Sequence, residues 1–214
     1  MESRNPALWE NGQYLEEWDP VRKNRHSDAA RKAQAAKLKR LIKNRPPRDI
    51  LPRRELAGRG PSKPPLHYYG FPFTKQYAID YARRHHFTVP LMEDERDVFG
   101  GKEVFDFSEI NESHFADPEV AHFIVVASRH FMLKDLSDKC GLQLQSGRPF
   151  SLEWDGIVAL WSNYDVKERY PLCYDYDEVV DILTSAMNEG DGPKSKLQWW
   201  FDWDNDVGVF TSVD

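Results

Sequence analysis

Residues 117–136 read D-P-E-V-A-H-F-I-V-V-A-S-R-H-F-M-L-K-D-L, and no other stretch leaves the chain fewer choices. Asp117 suits a helix N-cap, where its carboxylate accepts a backbone N–H, and Pro118 suits the first helical position, where no N–H is needed. Val120, Ile124, Ala127 and Phe131 then recur at helical spacing, with Phe123 beside them. Val125, Val126 and Leu133 fall on the opposite side, so this helix needs cover on more than one face. Ile124, Val125 and Val126 also form a β-branched run that would suit a strand over 123–127. The cap and the length of the apolar run select the helix, which Gly141 is placed to end.

The flanking sequence supplies the cover. Thr74 can cap a helix to about His86, with Tyr77, Ala78, Tyr81 and Ala82 on one face. Residues 88–116 carry the acidic run Glu93-Asp94-Glu95 and Gly100-Gly101, and read as a long loop with a short strand near 104–107. Leu142 to Gln145 alternates like a strand and is followed by turn chemistry at 146–149. Gly156 to Ser162 is a nearly continuous apolar run, the pattern of a buried central strand. Asp177 to Glu189 has Val179, Val180, Ile182, Leu183, Ala186 and Met187 on one arc and polar residues on the other. Asp177 reads as its cap and Gly190 as its stop. Lys196 to Trp203 reads as a last strand, turned by 204–206 into Val207 to Phe210. The fold class expected is α+β: a small, mostly antiparallel sheet with about three helices packed on it, preceded by a basic N-terminal arm containing one helix.

Charge divides the chain at about residue 65. Residues 1–65 hold 16 Lys+Arg and 8 Asp+Glu, a balance of +8; residues 66–214 hold 13 and 27, a balance of −14. This predicts a basic, partly disordered arm over 1–65 and a globular α+β domain over 66–214. Within the arm, a helix near 28–43 places Lys32, Lys39, Arg40 and Lys43 on one face, with Ala35, Leu38, Leu41 and Ile42 opposite. Six prolines and two glycines over 44–65 argue against regular structure there, so 45–65 reads as a Pro-rich linker. The basic face is a candidate anion-binding site, with nucleic acid reached through residues 20–63 as one partner. No aromatics are interleaved there, so contact would be through charge and would weaken steeply with salt. Trp9 and Trp18, in an otherwise polar segment, are candidates for docking a partner.

The residues that carry chemistry elsewhere are sparse here. Cys140 and Cys173 lack zinc-type spacing. His114, His122 and His130 are eight apart, which drifts by roughly 80° on a helix and forms no ligand row. The acidic stretch 202–206 begins like a calcium loop but has Val207 where glycine is needed and Val213 where glutamate is needed. Asp155 followed by Asp165-Val166-Lys167 resembles the D…(D/E)-x-K pattern of the metal-dependent restriction-type nucleases. The resemblance covers three residues and implies a metal-dependent nuclease or hydrolase, with the carboxylates holding the ion and Lys167 stabilising developing charge. Its flanks, Asn163, Tyr164, Glu168 and Arg169, are polar where that motif sits among apolar residues. No phosphate-loop, dinucleotide or nucleophile-elbow fingerprint is present, and no cofactor is implied.

Trp199, Trp200 and Trp203 crowd the last strand, with 199, 201 and 203 on one side and 200 on the other; an uncovered side would bind a partner, and Trp200 is the candidate. The N-terminus has no apolar signal region and no apolar run approaches a membrane span, so the expected setting is intracellular, cytoplasmic or nuclear. The function expected is that of a non-enzymatic interaction protein. Its α+β domain binds a protein partner, and its arm contacts an anionic one.

Overall fold

A computed structural model describes residues 9–10, 13–14, 36, 39–56 and 64–203. The chain divides into two compact units, Met1–Pro46 and Pro47–Asp214. The expectations for Trp18, Lys32, the start of the arm helix and the strand at 207–210 lie outside the described residues.

In the first unit, β1 (Trp9–Glu10) pairs antiparallel with β2 (Gln13–Tyr14), Trp9 opposite Tyr14. Residues 39–44 are helical (α1). Lys39, Arg40 and Lys43 are exposed on it and Leu41 and Ile42 are half-buried, the division the amphipathic pattern implies.

The second unit is α+β, built on an antiparallel four-stranded sheet, with β3 (His67–Phe73), β6 (Gln145–Gly147), β7 (Gly156–Ser162) and β8 (Gln198–Phe201) in the order β6-β7-β3-β8. Helices α2 (Lys75–Arg84), α4 (Pro118–Cys140) and α6 (Tyr176–Met187) cover one face. Thr74 caps α2, its hydroxyl accepting the Tyr77 N–H at 3.1 Å. Asp117 caps α4 by accepting from Glu119 N at 2.8 Å, and Gly141 ends it at φ 59°, a conformation that costs any residue with a Cβ. The N-cap of α6 is Asp175, two residues before the expected Asp177; its carboxylate accepts from Glu178 N at 3.3 Å.

The residues of α4 that are fully covered are Val120, Ile124, Ser128, Met132 and Leu136, a single ridge at four-residue intervals. Such a ridge packs into the groove of a crossing helix, and α2 supplies it. Cover on a second face is only partial: Val125 and Leu133 are half-buried, while Val126 stays 50% exposed. The upper part of the ridge meets Ile79, Ala82, Leu91, Phe105 and Phe107; the lower part joins the main core of Phe71, Tyr81, Leu160 and Leu183.

The long loop expected over 88–116 is instead a small structured lobe. Strands β4 (Thr88–Pro90) and β5 (Val104–Asp106) pair antiparallel, and α3 (Glu93–Val98) lies between them in sequence. The acidic run 93–95 opens α3, where the Glu95 carboxylate accepts from Met92 N at 2.8 Å. The strand expected at 142–145 starts at Gln145, because Leu144 is drawn into the main core.

A bulge sets the faces of β7. Ala159 pairs with Gly70 and Trp161 with Tyr69, leaving Leu160 unpaired. Val158, Leu160 and Trp161 therefore all reach the helix side, while Ile157 and Ala159 face away. Glycine is required opposite: a Cβ at Gly70 would stand 2.2 Å from the Val158 carbonyl oxygen. On the far face Trp200 lies against Ile157 and Ala159, with Tyr68 and Trp154 around it.

Both ends of the edge strand β8 are occupied. Phe150 N donates to Phe201 O at 2.9 Å and Trp203 N to Arg148 O at 2.8 Å, tying the chain that leaves β6 to the chain that leaves β8. At the other end Arg48 and Trp199 exchange two backbone hydrogen bonds, 3.0 and 2.7 Å. Residues 47–56, placed by sequence in the linker, thus belong to this unit. Prolines prevent regular structure there without preventing packing: Leu51 is buried in the main core.

Candidate functional site

The three residues of the nuclease-like pattern do not converge. Asp155 precedes β7 and caps α2, accepting from Lys75 N at 2.8 Å. Asp165 lies in the turn after β7, where it accepts from Ser162 N at 2.6 Å, from Ser162 Oγ at 2.8 Å and from the Gln145 side chain. A seven-residue strand separates them by roughly 20 Å or more, so one ion cannot bridge both. Lys167 is exposed on α5 (Val166–Arg169). Among the described residues no group of three or more His, Cys, Asp or Glu is placed to hold a metal ion. His122 and His130 are exposed, and His114 accepts the Asn111 N–H in a local turn. The Cys140 thiol is pushed up to about 11, by burial first and then by the neighbouring Cys173; Cys173 is also raised, by burial and Asp175. Protonated thiols are poor nucleophiles at neutral pH.

Trp200 is not the exposed anchor that strand alternation allowed. It is 7% exposed, because it packs on Ile157 and Ala159 and Tyr68 and Trp154 complete its cover.

Two surface features remain. The first is a cleft of about 530 Å³ between α2, α4 and α6, lined by Tyr81, His85, Lys139, Asp181, Ile182, Ser185, Ala186 and Glu189. At its base Tyr81 OH donates to Asp135 at 2.6 Å, Lys139 Nζ donates to Tyr81 OH at 3.1 Å, and Lys139 pairs with Asp135 at 2.7 Å. The Tyr81 phenol is raised far above its ordinary range, by burial first and then by the Asp135 hydrogen bond. Burial alone would raise Asp135, but the hydrogen bonds from Lys139 and Tyr81, with the Lys139 charge, hold it below the usual value. His85 stacks on Tyr81 with ring centroids 4.1 Å apart, and its Nε2 lies 3.3 Å from Glu189. The shifted groups of this cleft, Tyr81 and Asp135, are engaged with each other and with Lys139, a network that fastens α2 to α4.

The second is an apolar groove of about 430 Å³, lined by Asp49, Ile50, Leu51, Leu56, Val166, Lys167, Tyr170, Pro171 and Trp199. Buried Leu51 and Trp199 belong to its floor. Its walls are rigid for an aromatic reason: Tyr69 lies against Trp199 and Trp161 at 5.0 and 5.6 Å, and Tyr170 meets Trp161 edge-on at 5.5 Å. Around this held frame apolar side chains are left in water: Ile50 is 83% exposed, Tyr170 54% and, just beyond in the chain, Leu172 61% and Tyr174 95%. The signal in sequence was the apolar D-I-L and Y-P-L-C-Y pieces, each short and each beside proline, and neither drew attention without the other.

No protein-family model matches this chain, and neither a curated protein nor a solved structure matches it.

Proposed function

We propose that the unit Pro47–Asp214 is a protein-recognition module that takes an apolar segment of a partner into the groove between residues 49–56 and 166–171. The observation that carries this reading is the exposure of Ile50, Tyr170, Leu172 and Tyr174 beside a frame of packed aromatics. Isolated exposed apolar residues need no explanation, but Ile50 and Tyr170 line one groove, with Leu172 and Tyr174 following in the chain, and exposed apolar groups around a concavity mark interaction surfaces in which tyrosine and tryptophan dominate the energetics. The arm, through Lys32, Lys39, Arg40 and Lys43, adds a salt-sensitive contact with an anionic partner, for which nucleic acid is the first to test. A hydrolase built on Asp155, Asp165 and Lys167 has no geometry in its favour.

Placing a benzophenone side chain at position 50 of the full chain and irradiating cell extract tests the module. A discrete crosslinked product is expected at position 50, absent from position 126, which is exposed but stands alone, and lost when Tyr170→Asp is added. Equal products at 50 and 126, or persistence with Tyr170→Asp, would overturn the reading.

A further inference from the structure

The groove also indicates the chemistry of what enters it; this inference rests on the protein-recognition reading above. The second unit is acidic over most of its length, with a balance of −14 across residues 66–214, yet the stretch that forms one side of the groove is basic. Between Leu51 and Leu56, both of which line the groove, stand Arg53 and Arg54, exposed to water.

The two carboxylates of the 49–56 segment are already balanced. Asp49 accepts from Lys196 Nζ at 2.8 Å and Gln198 Nε2 at 3.1 Å, and those bonds hold its carboxyl low. Glu55 is clamped by the Arg48 guanidinium at 3.0 and 2.9 Å, with His67 Nε2 3.5 Å away. Arg54 reaches Glu55 only at 3.9 Å, an edge contact with an acid that another arginine already holds. The 49–56 side of the groove therefore carries two exposed arginines, Arg53 and Arg54, on an otherwise acidic body. Like charge repels most of this unit from acidic proteins, and this side is where an acidic segment is attracted.

We propose that the occupant is a short partner peptide with aliphatic or aromatic residues flanked by aspartate or glutamate, its apolar side chains between Ile50 and Tyr170 and its carboxylates beside Arg53 and Arg54.

Selection of a random twelve-residue display library on the immobilised full-length protein tests this. Selected peptides are expected to be enriched in Asp and Glu next to apolar residues. A synthetic copy should bind at least about tenfold more weakly to R53E/R54E, a surface change that leaves the core intact, and more weakly as salt rises. The same peptide should lose binding to Ile50→Asp, whose fold is checked by an unchanged melting temperature. Peptides that bind through Ile50 but show no acidic bias, or that ignore R53E/R54E, overturn the charge inference and leave the docking site standing. Peptides indifferent to Ile50→Asp, or a library that yields no binder, overturn both.

Discussion

Tyr81, Asp135 and Lys139 show how a few polar side chains decide what a cleft can do. A phenol held far above its ordinary range is fixed as a donor, and the carboxylate that receives it is fixed as an anion. The sign of the pH dependence follows from the lowered Asp135. Its stabilisation is present above the unfolded carboxyl value near 3.8 and is lost as pH falls through the lower folded value. Asp135→Asn should therefore lower stability at neutral pH, with the gap from the parent protein closing below about pH 4. Tyr81→Phe, which removes the hydrogen bond to Asp135 and the one from Lys139, should cost about 1–2 kcal/mol in urea unfolding at pH 7. A deficit that stays constant from pH 7 to pH 3 for Asp135→Asn would show that the carboxylate charge is not what matters.

At the scale of elements, α4 was legible because its signals are local: Asp117, Pro118 and Gly141 each act within one turn of the helix they bound. The central strand β7 was legible for the same reason, as an unbroken apolar run. Registers and caps that depend on distant contacts were not. Leu144 left the strand pattern because the core required it, and the choice between Asp175 and Asp177 depends on where Tyr176 packs against Tyr69 and Trp161. That choice can be measured: Asp175→Ala should cost about 1 kcal/mol, and Asp177→Ala, an exposed first-turn acid, a few tenths. Equal losses would restore Asp177 to the cap. The groove was illegible for a related reason: its sides come from segments more than a hundred residues apart, and the 49–56 side lay hidden in proline-rich sequence whose backbone is irregular but whose Leu51 is buried and Leu56 partly buried.

The whole molecule joins charges of opposite sign along one chain: a basic first 65 residues and an acidic remainder. In the described part of the arm, Lys39, Arg40 and Lys43 all point to water, and Lys39 and Lys43 stand one helical turn apart. If these residues and Lys32 meet phosphates, the logarithm of the affinity for duplex DNA should fall with the logarithm of salt concentration at a slope of roughly −0.9 per contact. K39E/R40E should then make that slope shallower by about two contacts' worth. Binding that is indifferent to salt would remove nucleic acid from consideration. No helix among the described residues is long and apolar enough to cross a membrane.

The pairing of β8 with β3 has a consequence for how the protein is made. The two strands lie side by side although about 130 residues separate them in the chain, and the span 148–150 also waits for 201–203 before its hydrogen bonds close. On a translating ribosome, every described helix of the second unit emerges before β8 does. Until residues 198–201 have been made, Ile157 and Ala159 are without the indole of Trp200, and the nascent chain carries a sticky, half-built face that a chaperone would have reason to hold.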